Sequence, residues 1–377
     1  MLLSDICEII MGQSPSSDSY NVKGQGLPFF QGNADFGKLY PSVRLWCNCP
    51  IKKAEAGDLL VSVRAPIGAV NLANQKCCIG RGLAALRPYR DKCDAMYLYY
   101  LIKAGKNKLN WLGTGSTFKA ITRSSLLSFN VPDYCIAFQR KISGKLWSVD
   151  KLIHQRNEQL KLFDLLIQSR FLERFGDPII NPFGYPIHKL GDYIENLTSG
   201  ARGWARYYAD DGNAWFITIK NVKNCKITVD NMQTINAPDN AEAKRTRVKE
   251  GDLLISITAD LGRTGVVTKE IANKGSYINQ HLSCIRLNRY ALEPLYVAYF
   301  MESEAGKRQF KKENQSAVKA GINFKSIQSL KLMVPPLVRQ EEFLSFYKQV
   351  DKSKLAVQKS LDELEILKKS LMQTYFG

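Results

Sequence analysis

One short stretch of this chain is written twice. "EAGDLLVSV" occupies residues 55–63 and "KEGDLLISI" occupies 249–257. In each, Gly-Asp breaks the chain and an apolar, β-branched run follows, the pattern of a turn entering a buried strand. The surroundings repeat in the same order. The copies open with "LLSDICEII" and "KLGDYIENL", then reach aromatic-rich strands, "LPFFQGN" and "AWFITIKN". Glycine turns follow the GDLL strands ("RAPIGAV", "ADLGRTGVV"), and then amphipathic helices ("DAMYLYYLIKAG", "EPLYVAYFMESEAGKRQF"). Each copy runs through Ile-x4-Leu/Ile into "FNVP" or "LMVPP" and ends in a long helix closed by Phe-Gly. A repeat of this size means two similar globular units, and 377 residues suffice for about two domains of common size.

The two long helices carry heptads. Ile142, Leu146, Val149, Ile153, Arg156, Leu160, Phe163 and Ile167 alternate spacings of four and three, interrupted only by Arg156. Phe343, Tyr347, Val350, Lys354, Val357, Leu361, Leu364 and Lys368 keep the same register more weakly. Two such runs at equivalent places predict helices that pair with each other as an antiparallel coiled coil, with Arg156 either a register device or the mark of a misphased helix. The expected organisation is α/β (α+β): a first globular domain over 1–135, a long helix over 136–176, a second domain over 177–336 and a second long helix over 337–377. The Pro/Gly-rich "RFGDPIINPFGYP" marks the break between copies.

Composition then narrows the partners. Lys and Arg number 53 against 35 Asp and Glu, a net charge of +18 spread along the chain. A field of that sign draws polyanions, nucleic acid first among them. The start lacks a basic n-region, and no apolar run approaches the ~18 residues of a membrane span, so the expected location is the cytoplasm. The nine cysteines lack zinc-site spacing and read as reduced and mostly buried.

Catalytic patterns fail one by one. "NPFG" at 181–184 lacks the second proline of the amino-methyltransferase base-holding motif, and no glycine-rich loop for S-adenosylmethionine precedes it. "PDNAEAK" at 238–244 sets Asp239 and Glu242 too close in one loop for a two-strand Mg²⁺ nuclease site. "GTGSTFK" at 113–119 is not a Walker A loop, and His154, His188 and His281 are scattered.

The ordered series GDLL, Ile-x4-Leu/Ile, "VPPLVRQ" (334–340) and the terminal "YFG" resembles the specificity subunit of type I restriction-modification systems. "RFGDPIINPFGYPIHKLGDY" (174–193) resembles the junction between its two target-recognition domains, although "VPDYCIAFQR" (131–140) lacks the second proline in the first copy. The resemblance implies a non-catalytic reader of a bipartite, asymmetric site on double-stranded DNA. It would dock two modification subunits, which methylate adenine N6 with S-adenosylmethionine after flipping the base. Restriction subunits, ATP-driven translocases and nucleases that use ATP and Mg²⁺, would complete the complex. The spacer helices' outward faces and "VPPLVRQ" are the expected docking surface.

Base readout favours Arg, Asn, Gln, Ser and Thr, and phosphates are held by Lys and Arg. In loops flanking the repeated strands these are Gln13, Ser14, Gln31, Asn33, Arg64, Ser116, Thr117 and Lys119 in the first copy. The second copy offers Arg202, Arg206, Lys220, Asn221, Thr258, Arg263, Gln280, His281 and Lys319. Arg64 and Arg263 stand out because both lie in the turn after a GDLL strand. Trp46, Trp111 and Trp204 are candidates to stack on bases, whereas Trp215 reads as core. GDLL itself reads as scaffold. Two other readings are a self-contained DNA methyltransferase or nuclease, and a coiled-coil adaptor without specific DNA readout.

Overall fold

Each GDLL segment becomes the third strand of a four-stranded antiparallel sheet, and the two sheets have the same order. In the computed structural model, which describes residues 1–113, 119–200, 202–315 and 321–377, the first sheet runs Cys7–Met11, Leu83–Pro88, Leu59–Ser62, Val70–Leu72. The second runs Ile194–Ser199, Leu282–Leu287, Leu253–Ser256, Thr264–Val266. Gly57 and Gly251 enter these strands at φ of 91° and 84°, a left-handed conformation that only glycine adopts without strain.

All four residues of each GDLL strand are buried, which explains a continuous apolar run where a one-sided sheet would alternate. Leu59 and Val61 face one core with Tyr97, Leu98 and Leu101 of helix Ala95–Ala104. Leu60, on the other face, packs with Phe30, Ile79 and Ala85. The second copy divides likewise: Leu253 and Ile255 meet Tyr296 and Val297 of helix Pro294–Glu302, while Leu254 meets Ile217 and Ile278. Each unit is therefore layered helix, sheet, sheet. The second small sheet contains one parallel pair in both copies, Phe29 opposite Cys78 and Phe216 opposite Tyr277.

The aspartate of each GDLL is buried and paired. Asp58 receives the Arg87 guanidinium at 3.1 and 2.9 Å, and Asp252 receives Arg286 at 2.8 and 2.7 Å. Their carboxylates also accept the amides of Glu55 and Lys249, closing the turn.

Two 40-residue helices, Ile136–Phe175 and Leu337–Phe376, carry the heptads. Every seam position is buried or half-buried, Arg156 included, where its guanidinium donates to Gln159. Contacts group the chain into residues 1–159 with 357–377, and residues 160–356, so each long helix contributes to both units. In the first unit Ile142, Leu146 and Phe376 join the core, and Lys368 pairs with Asp150 at 2.5 Å. Asp150 also accepts the Tyr100 hydroxyl. In the second unit Ile167, Phe171, Phe175, Phe343 and Val350 are core residues, Arg174 pairs with Glu342, and Lys354 pairs with Asp164. Within each unit the helical segments run antiparallel.

A buried glutamine fixes the start of each long helix. Gln139 accepts the Asp94 amide and donates to the carbonyls of Lys92 and Tyr134. Gln340 accepts the Glu293 amide and donates to Ala291 and Pro335. Both tie the long helix to the N-terminus of the amphipathic helix in their own unit. Among the described residues no helix is long and apolar enough to cross a membrane.

Candidate nucleic-acid interface

The first strand of each sheet ends in a glycine over which a neighbouring loop passes. A Cβ on Gly12 would sit 2.1 Å from the Gly80 carbonyl oxygen, and one on Gly200 would sit 2.0 Å from that of Asn279. This close crossing gathers four loops at one end of each sheet. In the first unit the Gln13 amide donates to Ile79, the Arg81 amide to the Ser14 hydroxyl, and the Gly80 amide to Phe30. The Val63 amide donates to Gly82, and Arg64 bridges to Ala120 beside Lys119. Gln13, Ser14, Gln31, Arg64 and Lys119 are thereby brought together, and all but half-buried Ser14 are exposed. Asn33 is half-buried and lines a cleft of about 430 Å³ with Gln31 and Arg44.

The second unit repeats the crossing with other side chains. The Asn279 amide donates to Ile217, just before Thr218, and the Ile257 amide donates to His281. Thr258 bridges to Gly321, and its hydroxyl lies 2.6 Å from His281 Nδ1, while Gln280 reaches His281 Nε2 at 3.2 Å. Arg202 follows Gly200 on the same loop and is exposed, and Lys220 is exposed on the turn after Thr218. Arg206 is exposed, packed on the Tyr207 ring of its own short turn. Ser116, Thr117 and Lys319 lie outside the described residues.

Four expectations change. Asn221 is buried: its side-chain oxygen accepts from the Thr218 amide and hydroxyl, and its amide donates to Thr228, so it builds the turn and offers nothing to a ligand. Arg263 is not the counterpart of Arg64. It directly precedes the return strand Thr264–Val266, ion-paired with Asp260, and the position matching Arg64 is Thr258. Trp204 is buried against Phe216 and Tyr277 because its indole N–H finds a carboxylate, Glu242, at 2.8 Å. "VPPLVRQ" presents Val338 and Arg339 outward but turns Gln340 inward. Trp215 packs against the core, Trp46 is half-buried, and Trp111 is 88% exposed on helix Lys106–Leu112.

Sequence reading missed Arg81, the counterpart of Gln280. "GRGL" at 80–83 and "NQHL" at 279–282 occupy the same loop, and aligning them would have found it.

This duplicated scaffold has relatives. The sequence family described as Type I restriction modification DNA specificity domain matches residues 1–162 and 189–365. The chain belongs to that family. It is 44% identical over 171 residues, 43% of its length, to the putative type I restriction enzyme MjaX specificity subunit of Methanocaldococcus jannaschii. It is 25% identical over 247 residues, 58% of its length, to the MjaIX specificity subunit of the same organism. The matches span 40% and 57% of those relatives' own lengths. The fold is also that of the type I restriction-modification S subunit from M. genitalium, at TM-score 0.62 and 14% identity, covering 100% of this chain and 95% of that one. Both Methanocaldococcus jannaschii relatives are named specificity subunits. Among the described residues, no group of three His, Cys, Asp or Glu could hold a metal ion.

Proposed function

We propose that the chain is the non-catalytic DNA-reading component of a type I restriction-modification complex, recognising a bipartite, asymmetric site on double-stranded DNA. One observation carries this reading. The same loops converge at the same end of two matching sheets, yet their side chains differ: Ser14 against Arg202, Arg64 against Thr258, Arg81 against Gln280, Gly82 against His281. A frame held constant while its polar fingers change is what two different half-sites require. Arg and Gln at such positions suit guanine and adenine edges in the major groove.

The long helices suit the role of ruler. At 1.5 Å per residue each is roughly 60 Å long, a length that sets an unread gap between half-sites. Their outer faces expose Leu152, Leu162, Leu165, Leu166, Leu355 and Ile366, several more than half exposed. We assign these to docking the two modification subunits, which supply S-adenosylmethionine and methylate adenine N6. Restriction subunits bring ATP and Mg²⁺ chemistry to the same complex.

The test is a genome-wide map of N6-methyladenine in cells with this chain and its modification subunit, and in cells lacking only this chain. A two-part motif with an unread gap should vanish on deletion. An unchanged methylation pattern, with duplex binding by the assembled complex that ignores salt, would put the adaptor reading in its place.

A further inference from the structure

The second unit contains a basic cleft that lies outside the loop cluster. Asn196, Thr198, Lys244, Arg245, Arg247, Lys249 and Arg286 surround about 250 Å³ beside the edge strand Ile194–Ser199. Helix Ala241–Thr246 supplies Lys244 and Arg245, and a second cleft of about 450 Å³ shares Lys244 and Arg247 and adds Lys274 and Asp239, the latter paired with Lys244 at 3.2 Å. Arg245 is held in place, its Nη1 donating to the Thr198 hydroxyl at 2.5 Å and the Ser199 carbonyl at 2.7 Å. Ser199 leads directly into Gly200 and Arg202, so the basic strip continues from the reading loops.

The first unit shows what a neutral version looks like. The residue matching Lys249 is Glu55, since each donates its amide to the buried GDLL aspartate. The residue matching Asn196 is Glu8, each lying opposite the paired arginine in the sheet. Glu55 pairs with Lys76 and Glu8 with Arg87, so that face is internally balanced. In the second unit no carboxylate lies within ion-pair distance of Arg245, Arg247 or Lys249 among the described residues. Three exposed or half-anchored cations without counter-charge repel one another, and a bound polyanion relieves that repulsion.

We propose that this cleft holds the phosphate backbone of the duplex beside the second half-site, anchoring one half of the site more strongly than the other. The proposal rests on the DNA-reading function. Phosphate contacts position a reader without specifying sequence, so the cleft should govern affinity and leave the motif alone.

The experiment measures binding of the assembled complex with its modification subunits to a duplex carrying the mapped motif, across a range of KCl concentrations. Arg247→Gln/Lys249→Gln should weaken binding about tenfold and flatten the log–log salt slope by roughly 1–2, at about 0.9 per lost phosphate contact. Lys249→Glu, which restores the first unit's residue, should weaken it too, while Lys53→Gln at the position matching Arg247 leaves the slope unchanged. The methylated motif should stay the same in all variants. Unchanged slope and affinity in the folded double variant would overturn the proposal. So would an altered motif, which would make these residues base readers. A wild-type complex that binds no duplex would overturn the reading function itself.

Discussion

Asp252 and Arg286 meet in a two-point ion pair at 2.8 and 2.7 Å, with the aspartate 1% exposed and the arginine reaching the surface. Asp58 and Arg87 make the same pair in the other copy. The pair links the turn that enters each GDLL strand to the strand beside it, so it locks the register from which the loops around Gly12 and Gly200 emerge. Breaking it from one side leaves a buried charge without its partner. Arg286→Ala should lower unfolding stability by about 3 kcal/mol, the lower end for a buried pair because Arg286 is partly solvated. A shift in the urea midpoint of the second unit's transition measures this. A midpoint unchanged within error would mean that water replaces the guanidinium without cost.

Gln139→Ala and Gln340→Ala should each cost roughly 2–3 kcal/mol, since each leaves a buried amide and two carbonyls unpaired. Hydrogen exchange should quicken first at the amides of Asp94 or Glu293 and in the first turns of the adjoining long helix. Uniform exchange along that helix would contradict the clamp.

Arg81→Ala and Gln280→Ala should relax one half of the methylated motif each and leave the other half intact. A good bidentate base contact discriminates by about 1–3 kcal/mol, enough for partly methylated variant sites to appear in a genome-wide map. Relaxation of both halves by one substitution would rule out independent reading by the two units.

Thiol chemistry gives an independent check on the packing. Burial pushes the Cys77, Cys78 and Cys93 thiols up to about 12, and Cys7, Cys225 and Cys284 upward as well, while Cys49 and Cys135 are exposed. At pH 8 a disulfide reagent should therefore label two cysteines quickly and the rest only on unfolding. Because folding holds the buried thiols protonated, their contribution is complete below the ordinary thiol value of 9.0 and fades as pH rises toward about 12. Thermal stability should fall progressively over that window.

The duplication and the heptad seams were legible because both are periodic: the seam positions between Ile142 and Ile167 and between Phe343 and Lys368 are buried or half-buried without exception. The loop cluster was legible in part, since polar residues next to repeated strands are brought together by the sheet's own order. What escaped depended on partners distant in the chain. Asp252 is 34 positions from Arg286, and only strand register joins them. Trp204 looked free to stack because nothing local announces Glu242, 38 residues on. Asn221 resembled an adenine reader, yet Thr218 three residues before it claims its oxygen. The basic cleft escaped because the cations of 244–249, Arg286 of the strand Leu282–Leu287 and the polar edge strand Ile194–Ser199 are joined only by the fold.

The glycine crossings at Gly12 and Gly200 bear on how such a chain can change over generations. The loops that meet there hang from strand ends whose own contacts lie in closed cores, so substitutions at exposed Arg81 or Arg202 disturb no buried packing, and those at half-buried Ser14 or Gln280 cost only a contact within the loops. The side chains at these loop positions can then change without unfolding the units that carry them. Replacing either glycine would forfeit that freedom, because any side chain there collides with backbone 2.0–2.1 Å away. Two residues without side chains keep these loops open to revision.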